Sequence, residues 1–301
     1  EQQITGLFVQ DVIRLGDISA TAGFRIDRWR NRDPFTIGGG VRSPLPSKDE
    51  LELSPRVAIL WRTSEKIGLA GSAYRSFRTP TLNELYRGFR VGNIVTHANP
   101  LLDPEILTGV EAGVNARISP RAFIRSRAFW NEIDDTVANV TLRATSGLIE
   151  RQRQNLGTTR STGLEIDAEA RPLAGLRLSG SWLWTDAEVV DFEADRALEG
   201  KRLPQIPRYQ ATLAASFHAM AGTVVSGQLR WSDSQFDDDQ NELSLAGFTT
   251  LDLYASHPIG ARLEIFVGAE NLLNERFDIG RTPVPAVGPP RLVRVGLRFR
   301  G

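Results

Sequence analysis

The sequence predicts an all-β protein whose antiparallel strands form part of the wall of a transmembrane β-barrel. Three observations favour this fold class. Apolar and polar residues alternate with a period of two along most of the 301-residue chain, which is typical of strands with one apolar and one polar face. Tight and long connections alternate between these strands, and the strands are long enough to cross the apolar part of a bilayer.

The alternation is clearest near the C-terminus. There, Val293, Val295 and Leu297 lie on one face of a predicted strand, and Arg294 and Arg298 lie on the other. Equivalent patterns divide the chain into thirteen predicted strands. Their predicted ranges are 4–14, 18–31, 51–62, 67–78, 105–117, 121–142, 148–171, 176–187, 206–219, 223–233, 247–257, 261–273 and 291–300.

The connections between the predicted strands differ in length in a regular way. The tight turns are at 15–17, 63–66, 118–120, 172–175, 220–222 and 258–260. The long loops are at 32–50, 79–104, 188–205, 234–246 and 274–290. The connection at 143–147 is an exception, because it is short but joins two unusually long strands. Bacterial barrels have short periplasmic turns and long extracellular loops, an asymmetry that a soluble β-sandwich does not require.

The predicted strands have dimensions and side chains that suit a bilayer. A strand of about 11 residues rises about 36 Å and spans about 28 Å at a tilt of about 40°. Aromatic residues lie near several strand ends, as at Trp61, Trp130 and Trp231. The polar face carries Glu165 and Asp167, whose carboxylates need hydrogen bonds that water or a polar lumen can provide and a dry core cannot. A soluble β-sandwich or propeller is the alternative, although no blade-length repeat is visible.

The composition excludes several classes of function. The 36 Lys and Arg residues balance 36 Asp and Glu residues, so there is no excess of positive charge for nucleic acid. Cysteine is absent, which removes disulfides, thiolate metal sites and cysteine nucleophiles. The histidines His97, His218 and His257 are far apart, and neither triad nor metal spacing is evident. We therefore predict that the chain is not an enzyme, needs no cofactor and binds no nucleic acid.

Several segments carry motifs in a consistent order along the chain. They are 77–86 (FRTPTLNELY), 99–105 (NPLLDPE) with Glu111, 155–157 with 163–165, 203–207, and 268–277 (GAENLLNERF). Their order and spacing resemble those of TonB-dependent outer-membrane receptors over roughly residues 67–301. Some motif residues, such as Pro100 and Asn271, are also expected to end strand pairing or start turns, which is the simpler role for them.

The resemblance implies that residues 1–301 are the C-terminal portion of a receptor barrel of 22 strands, about 13 of which are in this sequence. The N-terminal plug domain, the TonB-contacting box and the first strands would then lie outside it. Phe299 is followed by Arg300 and Gly301, whereas the family usually finishes on an aromatic residue. The implied location is the outer membrane of a Gram-negative bacterium, with membrane lipid as a partner.

The resemblance also implies a function, which is TonB-dependent active uptake of a scarce nutrient such as a ferric siderophore or cobalamin. The TonB complex would act through the absent N-terminal part. A passive outer-membrane porin or channel barrel is the main alternative, and a plug domain upstream would distinguish the two. A soluble β-rich binding module and an outer-membrane enzyme are further alternatives with less support in the residues.

Candidate ligand-binding residues lie mainly in loop 79–104, where the only weak helical spacing also occurs. Its basic and aromatic side chains suit an anionic, partly aromatic ligand such as a metal chelate. The candidates are Arg78, Glu84, Tyr86, Arg87, Phe89, Arg90 and His97, together with Arg281 from the last long loop. The acidic run Asp237, Asp238 and Asp239 is a weaker candidate for a divalent cation, and a solvated loop tip is the simpler expectation there.

Overall fold

The computed structural model describes residues 1–32, 35–38, 41–145 and 147–299, and it contains one large antiparallel sheet. Each main strand of this sheet, the wall, pairs with the next main strand along the chain, and the first and last are its edges. The wall strands are β1 (Gln2–Leu15), β2 (Ile18–Asn31), β3 (Lys48–Arg62), β4 (Ile67–Arg78), β5 (Glu105–Ser119), β6 (Ala122–Ala144), β7 (Ile149–Ala170), β8 (Leu176–Asp191), β9 (Tyr209–His218), β10 (Val224–Ser232), β11 (Phe248–Ile259), β12 (Leu263–Glu270) and β13 (Leu292–Phe299).

These thirteen strands match the thirteen predicted strands, with ends that differ by a few residues. The prediction for the end of β12 was too long, because pairing stops at Glu270. The next residue, Asn271, has a positive φ of 45°, and its side chain exchanges hydrogen bonds with the backbone of Glu275 at 2.8 and 2.9 Å. This is the turn-starting role expected of Asn271. The predicted last residue of β13, at position 300, lies outside the described residues.

The wall has one apolar and one polar face. On β13, Val295 and Leu297 are 72% and 57% exposed, whereas Arg294 and Arg298 form ion pairs with β12. The ion pairs on this polar face include Arg25–Asp27, Arg127–Glu111, Arg177–Glu169, Arg230–Asp252, Arg294–Glu270 and Arg298–Glu264. In a membrane barrel, the apolar face contacts lipid and the polar face lines the lumen. We call them the lipid face and the lumen face.

The tight connections lie at one end of the wall, which we call the turn end. Gly16 joins β1 to β2 with a φ of 58°, and Gly175 joins β7 to β8 with a φ of 80°. Glycine is favoured at both positions because a Cβ atom disfavours positive φ. At Gly175 a Cβ atom would also collide with the carbonyl oxygen of His218. A 3₁₀ turn (Met220–Gly222) completes the turn between β9 and β10.

The long connections lie at the opposite end, the loop end, and contain short elements that were not predicted. Small hairpins pair Phe35–Gly38 with Val41–Pro44, Phe89–Val91 with Ile94–His97, Gln235–Phe236 with Ser244–Leu245, and Asp278–Gly280 with Ala286–Val287. A 3₁₀ helix spans Arg196–Leu198. Helix α1 (Leu82–Tyr86) coincides with the weak helical spacing and begins with a capping box formed by Thr81 and Glu84. Among the described residues, no helix has the length and apolar character needed to cross a membrane.

Candidate functional site

Loop 79–104 is folded against the wall by an apolar cluster and a parallel strand pair. Trp29 of β2, Leu85 of α1 and Leu102 are buried together, with Val137 packed against them. The strand Ile94–His97 pairs in parallel with the first residues of β7. Burial of the apolar side chains stabilises this arrangement, so the loop forms a packed layer over the loop end of the wall.

Lys48, at the start of β3, holds the end of this loop. Its side chain is only 13% exposed, and Nζ donates to the carbonyl oxygens of Leu101 and Leu102 at 3.0 and 2.5 Å. The same ammonium group is 2.5 Å from a carboxylate oxygen of Asp103. These contacts fix the NPLLDPE motif, so its residues act in folding rather than as free ligand contacts.

Arg153, on β7, holds the C-terminal end of α1. Its Nη1 atom donates to the carbonyl oxygens of Asn83 at 2.6 Å and Arg87 at 3.1 Å. A cation at this position complements the carbonyl groups that a helix leaves unpaired at its C-terminus. The guanidinium also lies 5.4 Å from the ring centre of Phe89, which orients that candidate residue.

Three of the predicted site residues have their main contacts within the protein. Arg78 Nη1 donates to Glu84 Oε2 at 3.0 Å, and the Tyr86 hydroxyl accepts a hydrogen bond from Asn31. Burial raises the pKa of Tyr86. Burial also acts to raise the pKa of Glu84, but hydrogen bonds from Arg78 and Thr81 outweigh it and hold that pKa below its usual range.

The other five predicted ligand-binding residues are exposed at the loop end. They are Arg87, Phe89, Arg90, His97 and Arg281. Phe89 also lines a cavity at this end, described below. The remaining four lie outside the lining of that cavity, so the structure does not gather the predicted residues into one pocket. Their role in binding stays a prediction.

The acidic run joins loops to one another, and two of its members are buried rather than at a solvated tip. Asp237, which is 6% exposed, accepts hydrogen bonds from the backbone N–H groups of Arg281 and Thr282 at 2.8 and 2.7 Å. It also accepts from Thr282 Oγ1 at 2.9 Å and from Gln205 Nε2 at 2.8 Å. Burial acts to raise the pKa of Asp237, but these hydrogen bonds hold it below its usual range.

The other two aspartates of the run are used in a similar way. Asp238 accepts from the backbone N–H groups of Glu242 and Leu243 within its own loop. Asp239 accepts from the backbone N–H of Thr141 on β6 at 2.9 Å and from its hydroxyl at 2.8 Å. In the part of the chain that the structure describes, no group of three or more His, Asp or Glu side chains could hold a metal ion. The run therefore acts as a set of hydrogen-bond acceptors that ties the loops together.

A cavity of about 380 Å³ lies where the loops meet. It is lined by loop 79–104, the loop ends of β6, β7 and β8, and the long loops 188–205, 234–246 and 274–290. Its polar lining comprises Thr96, Asn139, Arg151, Arg202, Gln205, Thr282 and the acidic run. Its volume is within the range of about 300–1,000 Å³ that is typical of ligand sites.

Two arginines in this lining were missed by the sequence analysis. The buried Nε of Arg151 has no hydrogen-bond partner among the described residues. Arg202 donates to the carbonyl oxygen of Ile206 at 3.1 Å and lies 5.7 Å from the ring centre of Phe236. Burial, together with the nearby charge of Arg208, lowers the pKa of Arg202. Within the described residues neither Arg151 nor Arg202 forms a salt bridge, so both can donate to an oxyanion.

Comparison with known proteins identifies the family. The family model described as "TonB dependent receptor-like, beta-barrel" matches residues 1–272. The chain belongs to this family. The resemblance predicted from the motifs is therefore confirmed, and so is the fold class, because the antiparallel wall corresponds to part of a TonB-dependent receptor barrel.

Individual relatives agree with the family match. The metal-pseudopaline receptor CntO of Pseudomonas aeruginosa is 24% identical over 270 residues, which is 85% of this chain and 34% of that protein. The ferrichrome receptor FcuA of Yersinia enterocolitica is 28% identical over 283 residues, 91% of this chain and 35% of that protein. The chain thus spans about a third of the length of these relatives.

Solved structures agree at the level of the fold. The siderophore receptor PiuA of Acinetobacter baumannii superposes with a TM-score of 0.78 and 14% identity, covering 99% of this chain and 43% of that one. Family membership places the wall in the outer membrane of a Gram-negative bacterium, as predicted. The turn end then faces the periplasm and the loop end faces the exterior. The family and these relatives are receptors and transporters, which agrees with the expectation that the chain is not an enzyme.

Proposed function

We propose that residues 1–301 are the C-terminal portion of the barrel of a TonB-dependent uptake receptor. The longer polypeptide carries a plug domain in the lumen and an N-terminal segment on which the TonB complex acts. Its cargo is a scarce nutrient in the form of a metal chelate, such as a ferric siderophore, or a cobalamin-like ligand. The named receptors for metal-pseudopaline and ferrichrome support a cargo of this kind.

The observation that carries the proposal is the cavity at the loop end. It brings together parts of the chain that are far apart in sequence, and it is lined by the guanidinium groups of Arg151 and Arg202, neither of which forms a salt bridge within the described residues. Guanidinium groups bind carboxylates and other oxyanions through parallel hydrogen bonds. Because the acidic run already accepts hydrogen bonds from protein donors, Arg151 and Arg202 are the groups available to an anionic part of the cargo. Phe89 adds an aromatic contact at the edge.

The exposed residues around the cavity provide a first contact surface. Arg87, Arg90 and Arg281 are cationic, and His97 and Phe89 add donors and an aromatic face. Such a surface attracts an anionic chelate from dilute solution and increases its rate of capture. The cavity then holds the part of the cargo that carries the carboxylate or another oxyanion.

Uptake by cells that express the complete receptor tests the proposal. Radiolabelled ferric complexes of citrate, of a hydroxamate and of a catecholate are supplied at nanomolar concentration, with and without a functional TonB complex. We expect saturable uptake of at least one complex that stops without TonB. Uptake that is independent of TonB and proportional to concentration would contradict the proposal and indicate a passive channel. The coding sequence upstream of Glu1 gives a separate test, because an active receptor requires a plug domain there.

Substitutions then test the site. In the complete receptor, Arg151→Gln is expected to weaken binding of the transported complex about tenfold, the effect of one lost charge-assisted hydrogen bond. Arg87→Ala combined with Arg90→Ala is also expected to weaken it. Arg121→Ala, at the turn end, is the matched control and leaves affinity unchanged. An unchanged affinity in the loop-end variants would remove those residues from the site.

A further inference from the structure

A small sheet forms one side of the cavity at the loop end. In it, the hairpin of loop 79–104 pairs in parallel with the first residues of β7. Phe89 lies opposite Thr96, and Thr96 lies opposite Arg151. Residues directly opposite one another on paired strands share a face of the sheet, and all three of these line the cavity. We call them the inner row.

An apolar row lies next to the inner row, two residues nearer the tip of the connection between β6 and β7. Val91 lies opposite Ile94, and Ile94 lies opposite Ile149. Because residues two apart on a strand share a face, these three side chains lie on the same face as the inner row. We call them the outer row. Ile94 itself lines the cavity and is 3% exposed, whereas Val91 is 40% exposed.

Val284 of the last long loop extends this apolar surface. A Cβ atom on Gly92, at the turn of the hairpin, would lie 3.7 Å from Val284 Cγ1 and 3.5 Å from the carbonyl oxygen of Pro283. Pro283 lines the cavity, and Val284 is 52% exposed. Val91 and Val284 are therefore two exposed aliphatic residues at the edge of the cavity. We call them the apolar rim.

Membrane lipid does not account for the exposure of the apolar rim. Thr162 of β7 lies opposite Trp130, and Ile149 is 13 residues from Thr162 toward the loop end. At a tilt of about 40° this separation gives a height of about 33 Å, which exceeds the apolar thickness of a bilayer, about 30 Å. The outer row therefore lies outside the apolar layer of the membrane. Exposed apolar residues that continue a ligand cavity are typical of a surface that the ligand covers.

We propose that the cargo is an amphiphilic metal chelate, with a pendant hydrocarbon chain that lies on the apolar rim. This inference rests on the proposed function, which puts an oxyanion of the cargo at Arg151 and Arg202. The inner and outer rows are adjacent, so one molecule can place its oxyanion at Arg151 and its chain on Val91 and Val284. The chain removes the two valine side chains from water. The cavity thus selects cargo by its charge, and the rim selects it by its chain.

Binding of two chelates with the same head tests the inference. Both are ferric complexes of a citrate-centred dihydroxamate, and they differ only in their acyl groups, which are acetyl in one and octanoyl in the other. Affinities are measured with the complete receptor in lipid nanodiscs, and partition into empty nanodiscs is subtracted. We expect the octanoyl chelate to bind about tenfold more tightly, the effect of about two methylene groups removed from water. Equal affinities, tighter binding of the acetyl chelate or no binding of either would overturn the inference.

Substitutions show where the chain binds. Val91→Ser combined with Val284→Ser should reduce the ratio of the two affinities from about ten to about one, and each single substitution should reduce it part of the way. Leu101→Ser is the matched control, because Leu101 is 64% exposed in the same loop as Val91 but lies outside the cavity lining. It should preserve the ratio. Arg151→Gln should weaken binding of both chelates by a similar factor and also preserve it. A tenfold ratio that persists in the double rim variant would overturn the assignment of the chain to the rim.

The inference and the proposed function fail in different ways. Binding in nanodiscs requires neither the TonB complex nor transport. A preference for the octanoyl chelate without TonB-dependent uptake would therefore support the inference and contradict the proposed function. TonB-dependent uptake of a chelate, together with equal binding of the acetyl and octanoyl chelates, would support the proposed function and overturn the inference.

Discussion

Replacing Asp237 by alanine is expected to release the last long loop from the loop end. The carboxylate accepts three hydrogen bonds from Arg281 and Thr282 at 2.7–2.9 Å and one from Gln205 at 2.8 Å. Loop 274–290 is thereby held against loops 188–205 and 234–246. Alanine removes all four acceptor contacts and leaves the donors of three residues unpaired.

The size of the effect follows from the kind of hydrogen bond lost. A hydrogen bond to a charged group contributes about 1.5–3 kcal/mol, and such contributions are not additive. The released N–H groups regain water once the loop opens. We therefore expect the free energy that docks the loop to fall by about 2–4 kcal/mol. Since about 1.4 kcal/mol corresponds to a factor of ten, the open population should rise about 30- to 700-fold.

Hydrogen exchange of the complete receptor in detergent measures this opening directly. Asp237→Ala should increase the exchange rates of the Arg281 and Thr282 amides by about 30- to 700-fold. Asp238→Ala is the matched control, because Asp238 accepts hydrogen bonds from Glu242 and Leu243 in its own loop. It should speed exchange of those two amides and leave residues 281 and 282 unchanged. Normal protection of residues 281 and 282 in Asp237→Ala would refute the reasoning.

Three further predictions concern the same loops and turns. The pKa of Asp237 is lower in the folded state than its ordinary value of about 3.9. The stabilisation that its carboxylate provides is therefore fully present above a pH of about 3.9 and is lost as the pH falls through the lower folded pKa. Amide exchange rates, corrected for the intrinsic effect of pH on exchange, would detect this loss. Lys48→Met should weaken docking of loop 79–104 by about 1.5–3 kcal/mol and speed its limited proteolysis. In samples heated to increasing temperatures before electrophoresis, Gly175→Ala should lower the temperature at which the folded form disappears more than Gly16→Ala does. Both glycines have a positive φ, but only at Gly175 would the added Cβ atom also collide with backbone. Equal shifts would contradict the last prediction.

The strands of the wall were predictable because each strand is marked by a pattern within its own residues. The alternation of Val293, Val295 and Leu297 with Arg294 and Arg298 assigns each side chain to a face without reference to any other strand. Tight turns and long loops then set the order and direction of the strands. The same reasoning placed the end of β12 a few residues too late. The strand stops where Asn271 adopts a positive φ, and this conformation depends on side-chain hydrogen bonds that the alternation does not show.

The loop end was much less predictable because its contacts join residues far apart in sequence. Lys48 contacts Leu102 across 54 residues, and Asp237 contacts Thr282 across 45. No local pattern marks such pairs. Composition marked loop 79–104 as rich in cationic and aromatic residues, and its role in binding stays a prediction. Composition gave no sign that Asp237 is buried as a hydrogen-bond acceptor.

Arg151 illustrates the same limit for the candidate site. In the sequence it stands in a polar run at the start of β7 and resembles any solvated strand residue. Only the packing of loops 188–205, 234–246 and 274–290 encloses the cavity that it lines. A charge without a salt-bridge partner in a cavity is therefore a property of the tertiary structure. It can be predicted from sequence only where the loops that enclose the cavity are already known.

Topology in intact cells tests the central claim most directly, namely that this wall crosses the outer membrane with its long loops outside. The chain contains no cysteine, so single substitutions in this region can be labelled without background from it. With a membrane-impermeant maleimide, Phe89→Cys at the loop end should react in intact cells expressing the complete receptor, and Ala174→Cys at the turn end should react only after the outer membrane is permeabilised. Equal labelling of both positions in intact cells, or labelling of Ala174→Cys alone, would contradict the account.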